Sequence, residues 1–220
     1  MDELTLMRQR HSVRSYLEKE IEEEKIAVLE KTIEECNKES GLHIQLVKNE
    51  AKAFDSTMAH YGNFHGVTNY LALIGKKGPD LEEKCGYFGE KIVLEAQRLG
   101  LNTCWVALTY KKIPDAFVIG KGEKLTVVIT LGYGATQGSP HRSKDVLTVS
   151  NCTPDSPEWF RRGVEAALLA PTATNQQKFF LEQEGERVRA KAGFGFFTKM
   201  DLGIVKYHFE LGSGRRDVWM

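Results

Sequence analysis

Residues 81–108 read LEEKCGYFGEKIVLEAQRLGLNTCWVAL, and their pattern decides the fold class. From Leu81 to Leu99 the apolar residues Phe88, Ile92, Val93, Ala96 and Leu99 recur on one helical face, and Gly100 stands where a helix takes its C-terminal glycine. The run Thr103 to Leu108 then predicts a strand, so Gly100 to Val106 couples a helix end directly to a strand start. Upstream, Asn69 to Ile74 is a short apolar run suited to a buried strand, with Gly75 to Pro79 as a turn. Downstream, Leu125 to Leu131 is nearly all apolar, and Gly132-Tyr133-Gly134 lets the backbone turn sharply.

The flanking stretches extend this α+β pattern. Residues 18–40 open with Glu18, Glu20, Glu22, Glu23 and Glu24 and then place Ile26, Leu29, Ile33 and Cys36 three and four apart, an amphipathic helix with acids at its positive end that Gly41 terminates. His43 to Val47 alternates as a strand. Residues 134–157 read as loop, and Ser156-Pro157 reads as a helix start, with a hydroxyl N-cap ahead of the stripe Phe160, Val164, Ala167 and Leu168. Pro171 stops that helix. Phe179 to Gln183 and Arg187 to Ala192 suit paired strands, and Asp201 to Leu211 a closing helix. Lys25 to Val47 and Trp159 to Glu182 share a helix-then-strand pattern, each followed later by a glycine-containing helix (Gly89, Gly203); an internal duplication and chance similarity both account for this.

Composition narrows the function. The chain has 220 residues, with 30 Lys and Arg against 30 Asp and Glu, which removes the electrostatic basis for a general nucleic-acid or anionic-membrane binder. No apolar run approaches the roughly 20 residues that span a bilayer, and Met1-Asp2-Glu3 is acidic where a secretory signal is basic, so a cytoplasmic protein is expected. Cys36, Cys85, Cys104 and Cys152 are far apart and read as structural thiols in a reducing compartment; His60 and His65, five apart, would lie on different helix faces, so no metal site is expected.

Three segments carry chemistry. Arg8 to Tyr16 concentrates guanidinium, imidazole and hydroxyl donors, and in an extended chain Arg10, Ser12 and Arg14 point the same way as a cradle for a small anion; the plainer reading is a basic N-terminus. His141-Arg142-Ser143-Lys144 follows the glycine turn and could close on the same phosphate. Ala170 to Gln177 is a polar loop suited to bonding the edge of a planar ring, or simply a solvated turn. Gly100 to Val106 offers backbone N–H groups to a ligand, or packs Trp105 into the core.

Together these segments resemble the flavin-dependent nitroreductase family. Its opening Arg-x-Ser-x-Arg-x-aromatic motif stands as Arg10 to Tyr16, and Leu-Gly-Leu-x-x-Cys-Trp as Leu99 to Trp105. Its Ala-Pro-Ser-x-x-Asn-x-Gln motif stands as Ala170 to Gln177 with Thr172 for serine, and Leu-Gly-Tyr with a basic pair as Leu131-Gly132-Tyr133 and Arg142/Lys144. The motif order departs from the family's. The Ala-Pro-Ser loop usually follows the first helix, where this chain has Glu34 to Ser40.

The resemblance implies an α+β fold with a central mixed or antiparallel sheet flanked by helices. It also implies an FMN enzyme in which NAD(P)H delivers hydride to the flavin and a small-molecule acceptor, a nitroaromatic or quinone, removes the reducing equivalents, with no protein acid or base. Arg10, His11, Ser12, Arg142 and Lys144 would hold the phosphate, Arg14 would oppose charge at the N1/O2 edge, Trp105 and Val106 would lie along the ring, and Pro171, Thr172, Thr174 and Asn175 would contact the ring or ribityl chain. A flavin binder without turnover, or another reduction on the same fold, stays open. The relocated loop suggests residues 1–150 as a nitroreductase-like half and 151–220 as an abbreviated second half, making the chain a monomeric pseudo-dimer unless an ordinary homodimer forms.

Overall fold

The computed structural model describes residues 2–220, so Met1 of the acidic opening lies outside the described residues. In chain order the elements are α1 (Glu3–Gln9), α2 (Glu23–Ser40), β1 (Gln45–Val47), α3 (Thr57–Tyr61), β2 (Asn69–Lys76), α4 (Leu81–Arg98), β3 (Asn102–Val106), β4 (Glu123–Gly132), α5 (Val146–Val149), α6 (Glu158–Ala167), β5 (Phe179–Glu184), β6 (Arg187–Ala192) and α7 (Thr198–Ser213). They fall into two compact units built from non-contiguous segments. The sheet unit comprises residues 10–81 and 92–139; the hairpin unit comprises the N-terminal residues up to Gln9, residues 82–91 and residues 140–220.

In the sheet unit the strand order is β1-β2-β4-β3, and every pairing is antiparallel. β2 is central and all of its residues but Lys76 are buried, which is why it reads as an unbroken apolar run rather than an alternation. A register shift between Leu73 and Ile74 bends the β2–β4 ladder. One face carries a core that includes Val13, Phe54, Phe64, Tyr70 and Val128, with Phe54 edge-on to Phe64 at 5.2 Å and to Tyr70 at 5.8 Å. Helix α2 buries Ile26, Leu29, Ile33 and Cys36, the stripe its spacing predicts, and each such side chain contributes about 1.5–3 kcal/mol. Gly41 closes α2 in the left-handed conformation (φ 71°), and the Asn37 side chain clamps the backbone of Ile44 through both its atoms.

The hairpin unit packs α6 and the first half of α4 against α7, with β5 and β6 as a separate two-stranded sheet. Close approach is set by small residues: a Cβ on Gly86 would collide with the Met200 carbonyl, and one on Gly203 would collide with the Glu83 carbonyl and reach 2.7 Å from Tyr87 N. Phe160 and Phe209 pack at 5.8 Å, and Phe209 meets Trp219 at 5.2 Å. Inside this apolar packing lie two polar residues with no exposure, Glu90 and His208. His208 Nε2 is 2.9 Å from Glu90 Oε1, and His208 Nδ1 is 3.1 Å from the Ala166 carbonyl oxygen.

Several local expectations are corrected. Residues 18–22 are not helical; α2 starts at Glu23, since Glu20 and Glu22 favour a helix N-terminus only by charge and do not bond its backbone. Pro157, not Ser156, is the N-cap of α6, and the Ser156 hydroxyl accepts from Thr153 N instead. The stretch 134–157 contains α5, capped by Asp145, and β2 runs through Gly75 to Lys76 before the turn. The close contact between the glycine-bearing helices includes Gly86 and Gly203. Because α3 ends at Tyr61, the His60 and His65 rings stack at 6.2 Å instead of diverging, yet no group of three metal-type side chains gathers among the described residues. All four cysteines are buried. No helix among the described residues is long and apolar enough to cross a membrane.

Candidate functional site

In the sheet unit, the segment Arg10 to Tyr16 is extended and covers the edge of the sheet formed by β3. Ser12 bridges Thr103 in parallel, Val13 N donates to Thr103 O at 3.0 Å, and Tyr16 N donates to His65 O at 2.9 Å. Edge coverage of this kind satisfies β3's outer backbone groups and fixes the direction of each side chain. Val13 and Tyr16 turn inward. The Tyr16 hydroxyl donates to Val13 O at 2.8 Å and lies 2.6 Å from Thr130 Oγ1, and burial pushes its pKa well above the usual phenol value.

Burial raises the Cys104 thiol, while the Arg14 guanidinium, a hydrogen bond with Ser12 and the Arg10 guanidinium pull it back, all three acting from the segment that lies along β3. Arg10 is buried, Ser12 half-buried and Arg14 exposed, its guanidinium 6.0 Å from the centre of the Phe64 ring. His11 Nδ1 lies 3.0 Å from the Gln137 carbonyl oxygen, to which it donates, while its Nε2 is buried and makes no hydrogen bond among the described residues. Asn102, buried at the start of β3, accepts from Gly134 N and donates to Gln137 Oε1, which locks the 134–138 turn beside His11. Trp105 is half-buried, and the Val106 side chain belongs to the core.

The hairpin unit gathers the other expected residues. Asn175 Nδ2 donates to Arg142 O at 2.9 Å, and Gln177 Nε2 donates to Arg142 O at 3.0 Å and to Asn175 Oδ1 at 2.8 Å. Gln177 Oε1 accepts from Lys144 N at 2.8 Å, and Gln177 N donates to Thr172 Oγ1 at 3.0 Å. Arg142 and Lys144 are thus tied to the 170–177 loop through their backbones, and Lys144 Nζ also donates to Gln177 O at 3.3 Å. The loop is strained: Thr174, Asn175 and Gln177 hold φ of 49°, 54° and 43° without a glycine among them, at about 1–2 kcal/mol each. Asp201, buried in the first turn of α7, braces it, its Oδ1 accepting from Ala173 N at 2.9 Å and its Oδ2 from Gln176 Nε2 at 2.7 Å.

A family model described as "Putative TM nitroreductase" matches residues 3–213. This chain belongs to that nitroreductase family. A "putative nitroreductase" structure from Thermotoga maritima is similar over 96% of this chain and 83% of its own, at 24% identity and a TM-score of 0.67. A nitroreductase family protein from Clostridium difficile 630 matches 70% of this chain and 99% of its own, at 17% identity and a TM-score of 0.53. A "putative nitroreductase in complex with fmn" from Desulfovibrio desulfuricans matches 71% and 98%, at 13% identity and a TM-score of 0.52. At these identities the shared property is the fold. No curated protein sequence matches the chain.

In this nitroreductase-family chain, Asn102, Gln177 and Asp201 organise the candidate residues without having been singled out for it. Burial raises the Asp201 carboxyl from 3.8 to about 6, while the bonds from Ala173 and Gln176 oppose the shift. A raised folded-state pKa means that the protonated form is favoured on folding. Its contribution to stability is complete below pH 3.8 and is lost as pH rises through about 6. Melting curves of Asp201→Asn and wild type between pH 4 and 7 should therefore diverge in favour of the variant as pH rises; parallel curves would refute this.

Proposed function

We propose that this nitroreductase-family chain is an FMN-dependent NAD(P)H oxidoreductase reducing electron-poor acceptors such as nitroaromatics and quinones. The observation that carries the reading is one segment, laid along β3 by the Ser12–Thr103 bridge and the Val13 N–Thr103 O bond, that carries two guanidinium groups, a hydroxyl and the buried His11 Nε2 within five residues. The guanidinium groups and the hydroxyl fit a phosphate monoester, which accepts several charge-assisted hydrogen bonds at once, and His11 adds a donor through Nε2 as the imidazolium, its Nδ1 hydrogen being given to Gln137 O. Family membership and the fold shared with an FMN-complexed structure support the choice of flavin. When bound, FMN supplies the hydride chemistry, taking reducing equivalents from a nicotinamide cofactor and yielding them to the acceptor.

The protein's own residues bind and orient. In the sheet unit Arg10, His11 and Ser12 would hold the phosphate; in the hairpin unit Arg142 and Lys144 are the basic pair that would serve an anion. Arg14 opposes negative charge at the N1/O2 edge of the ring, and the Trp105–Val106 strand lies along it. The Thr172 hydroxyl accepts from Gln177 N, so its own proton is the one this loop offers to ring or ribityl oxygens. Pro171, Thr174 and Asn175 shape that contact, Asn175 chiefly by fixing the turn.

The test is an anaerobic visible spectrum of the purified full chain with added FMN, before and after NAD(P)H. A flavin band that bleaches is expected; a band unmoved by either nucleotide indicates a binder without turnover, and failure to bind FMN overturns the reading. Loss of one charge-assisted bond to a buried phosphate costs roughly 1.5–3 kcal/mol, so Arg10→Ala is expected to weaken FMN binding about 10- to 150-fold. Unchanged affinity in a variant with a native circular dichroism spectrum would remove Arg10 from the site.

A further inference from the structure

The turn Thr172 to Gln177 does not hold its shape by its own chemistry. Three non-glycine residues in the left-handed region, one of them the β-branched Thr174, persist only where the surroundings over-determine them. Those surroundings are specific. Gln177 is buried and pins the end of the turn to Arg142 and Lys144, whereas Ala173 near its start and Gln176 near its end are held together by one carboxylate.

We propose that Asp201 is the positioning residue of this turn, setting where Thr172 and Asn175 stand toward the flavin by holding Ala173 N and the Gln176 amide. The inference rests on the functional reading given above. An acidic residue in the first turn of a helix is ordinarily there for the dipole or for capping, and an exposed side chain serves either purpose. Asp201 does neither in the ordinary way. It is 3% exposed, α7 shows no side-chain cap, and both carboxylate oxygens are directed 25 and 28 residues back along the chain. Gln176 Nε2 also donates to Phe196 O at 2.8 Å, so the same contact ties the turn to the backbone that leads into α7.

An amide at this position discriminates between roles. In Asp201→Asn the carbonyl oxygen still accepts from Ala173 N, but the new NH2 faces the Gln176 NH2, donor against donor, while the buried charge disappears. Three measurements on the full chain test the proposal: hydrogen exchange of residues 172–177 in the flavin-free protein, the melting temperature, and FMN affinity by fluorescence titration. The expected result is exchange at Ala173 to Gln177 faster by about tenfold or more with other amides unchanged, no fall in melting temperature at pH 7.5, and FMN binding weaker by about tenfold. Unchanged exchange, or unchanged FMN affinity, overturns the proposal, as does a lowered melting temperature with affinity intact. If Arg10→Ala and Thr172→Val are equally silent toward FMN, the functional reading has failed; silence confined to Asp201→Asn is a failure of this inference alone. Gln176→Met, which keeps the volume and removes the side-chain amide, is the second variant. It breaks the bonds to both Asp201 and Phe196 O and is expected to move exchange and affinity in the same direction; unchanged exchange and affinity in it overturn the proposal even if Asp201→Asn does not fold.

Discussion

His208→Leu is expected to destabilise the folded chain by about 3–5 kcal/mol, which for a protein of this size lowers the melting temperature by roughly 6–20 °C. The argument is one of proton placement. His208 Nδ1 faces the Ala166 carbonyl, an acceptor only, so Nδ1 carries a hydrogen; the 2.9 Å contact between Nε2 and Glu90 Oε1 then holds a single further proton between ring and carboxylate. Both side chains have zero exposure, so removing the ring leaves a carboxyl group in a dry interior without that imidazole. Glu90→Gln is expected to be much milder, because its NH2 donates to the unprotonated Nε2. The double variant Glu90→Leu, His208→Leu should recover most of the loss, since two apolar groups of similar volume replace the whole pair. A thermal melt of the three proteins checks this; equal losses in all of them would show that volume, not polarity, governs the site.

The second large effect is steric. Gly203→Val is expected to cost about 3 kcal/mol or more, at or beyond the upper end of overpacking penalties. Its Cβ would collide with the Glu83 carbonyl and stand 2.7 Å from Tyr87 N, both rigid helix backbone. The helices have to separate, and the matching seat of Gly86, where a Cβ would lie 2.9 Å from Met200 C and 3.1 Å from Ile204 N, opens with them. Gly86→Ala should therefore be nearly as damaging. Urea unfolding monitored by Trp fluorescence would expose the prediction; a midpoint within error of wild type would refute it.

The parts of the fold legible in the sequence are those governed by periodicity. Phe88 to Ala96 declared α4, and the all-apolar run from Asn69 declared β2, because burial on a regular element leaves a repeating trace. Glycine contacts leave none. Nothing local marks Gly86 as a seat; it is set by Met200, far along the chain. At the candidate site the donor-rich run Arg10 to Tyr16 was readable as a group, but parity did not foretell that Tyr16 turns into the core while Arg14 stays exposed. The polar residues of 170–177 were readable as a group but not one by one, because Gln177 and Asn175 mostly satisfy Arg142 and each other. Asp201 was hidden for the opposite reason: an acid opening a helix is so well explained locally that its distant partners were invisible.

The division of α4 between the two units has a consequence for synthesis on the ribosome. Residues 10–81 and 92–139 contain every segment of the sheet unit, so that unit has all its parts once residue 139 has emerged. The first half of α4 has not. Its partners come with α7, 118 residues later for Glu90 and His208, a delay of roughly 6–24 s at about 5–20 residues per second. Throughout that interval the nascent chain carries a notched helix face with a solvated carboxylate at its centre. Glu90, with Glu83 and Tyr87, then keeps that face in water until His208, Lys206 and Glu210 arrive.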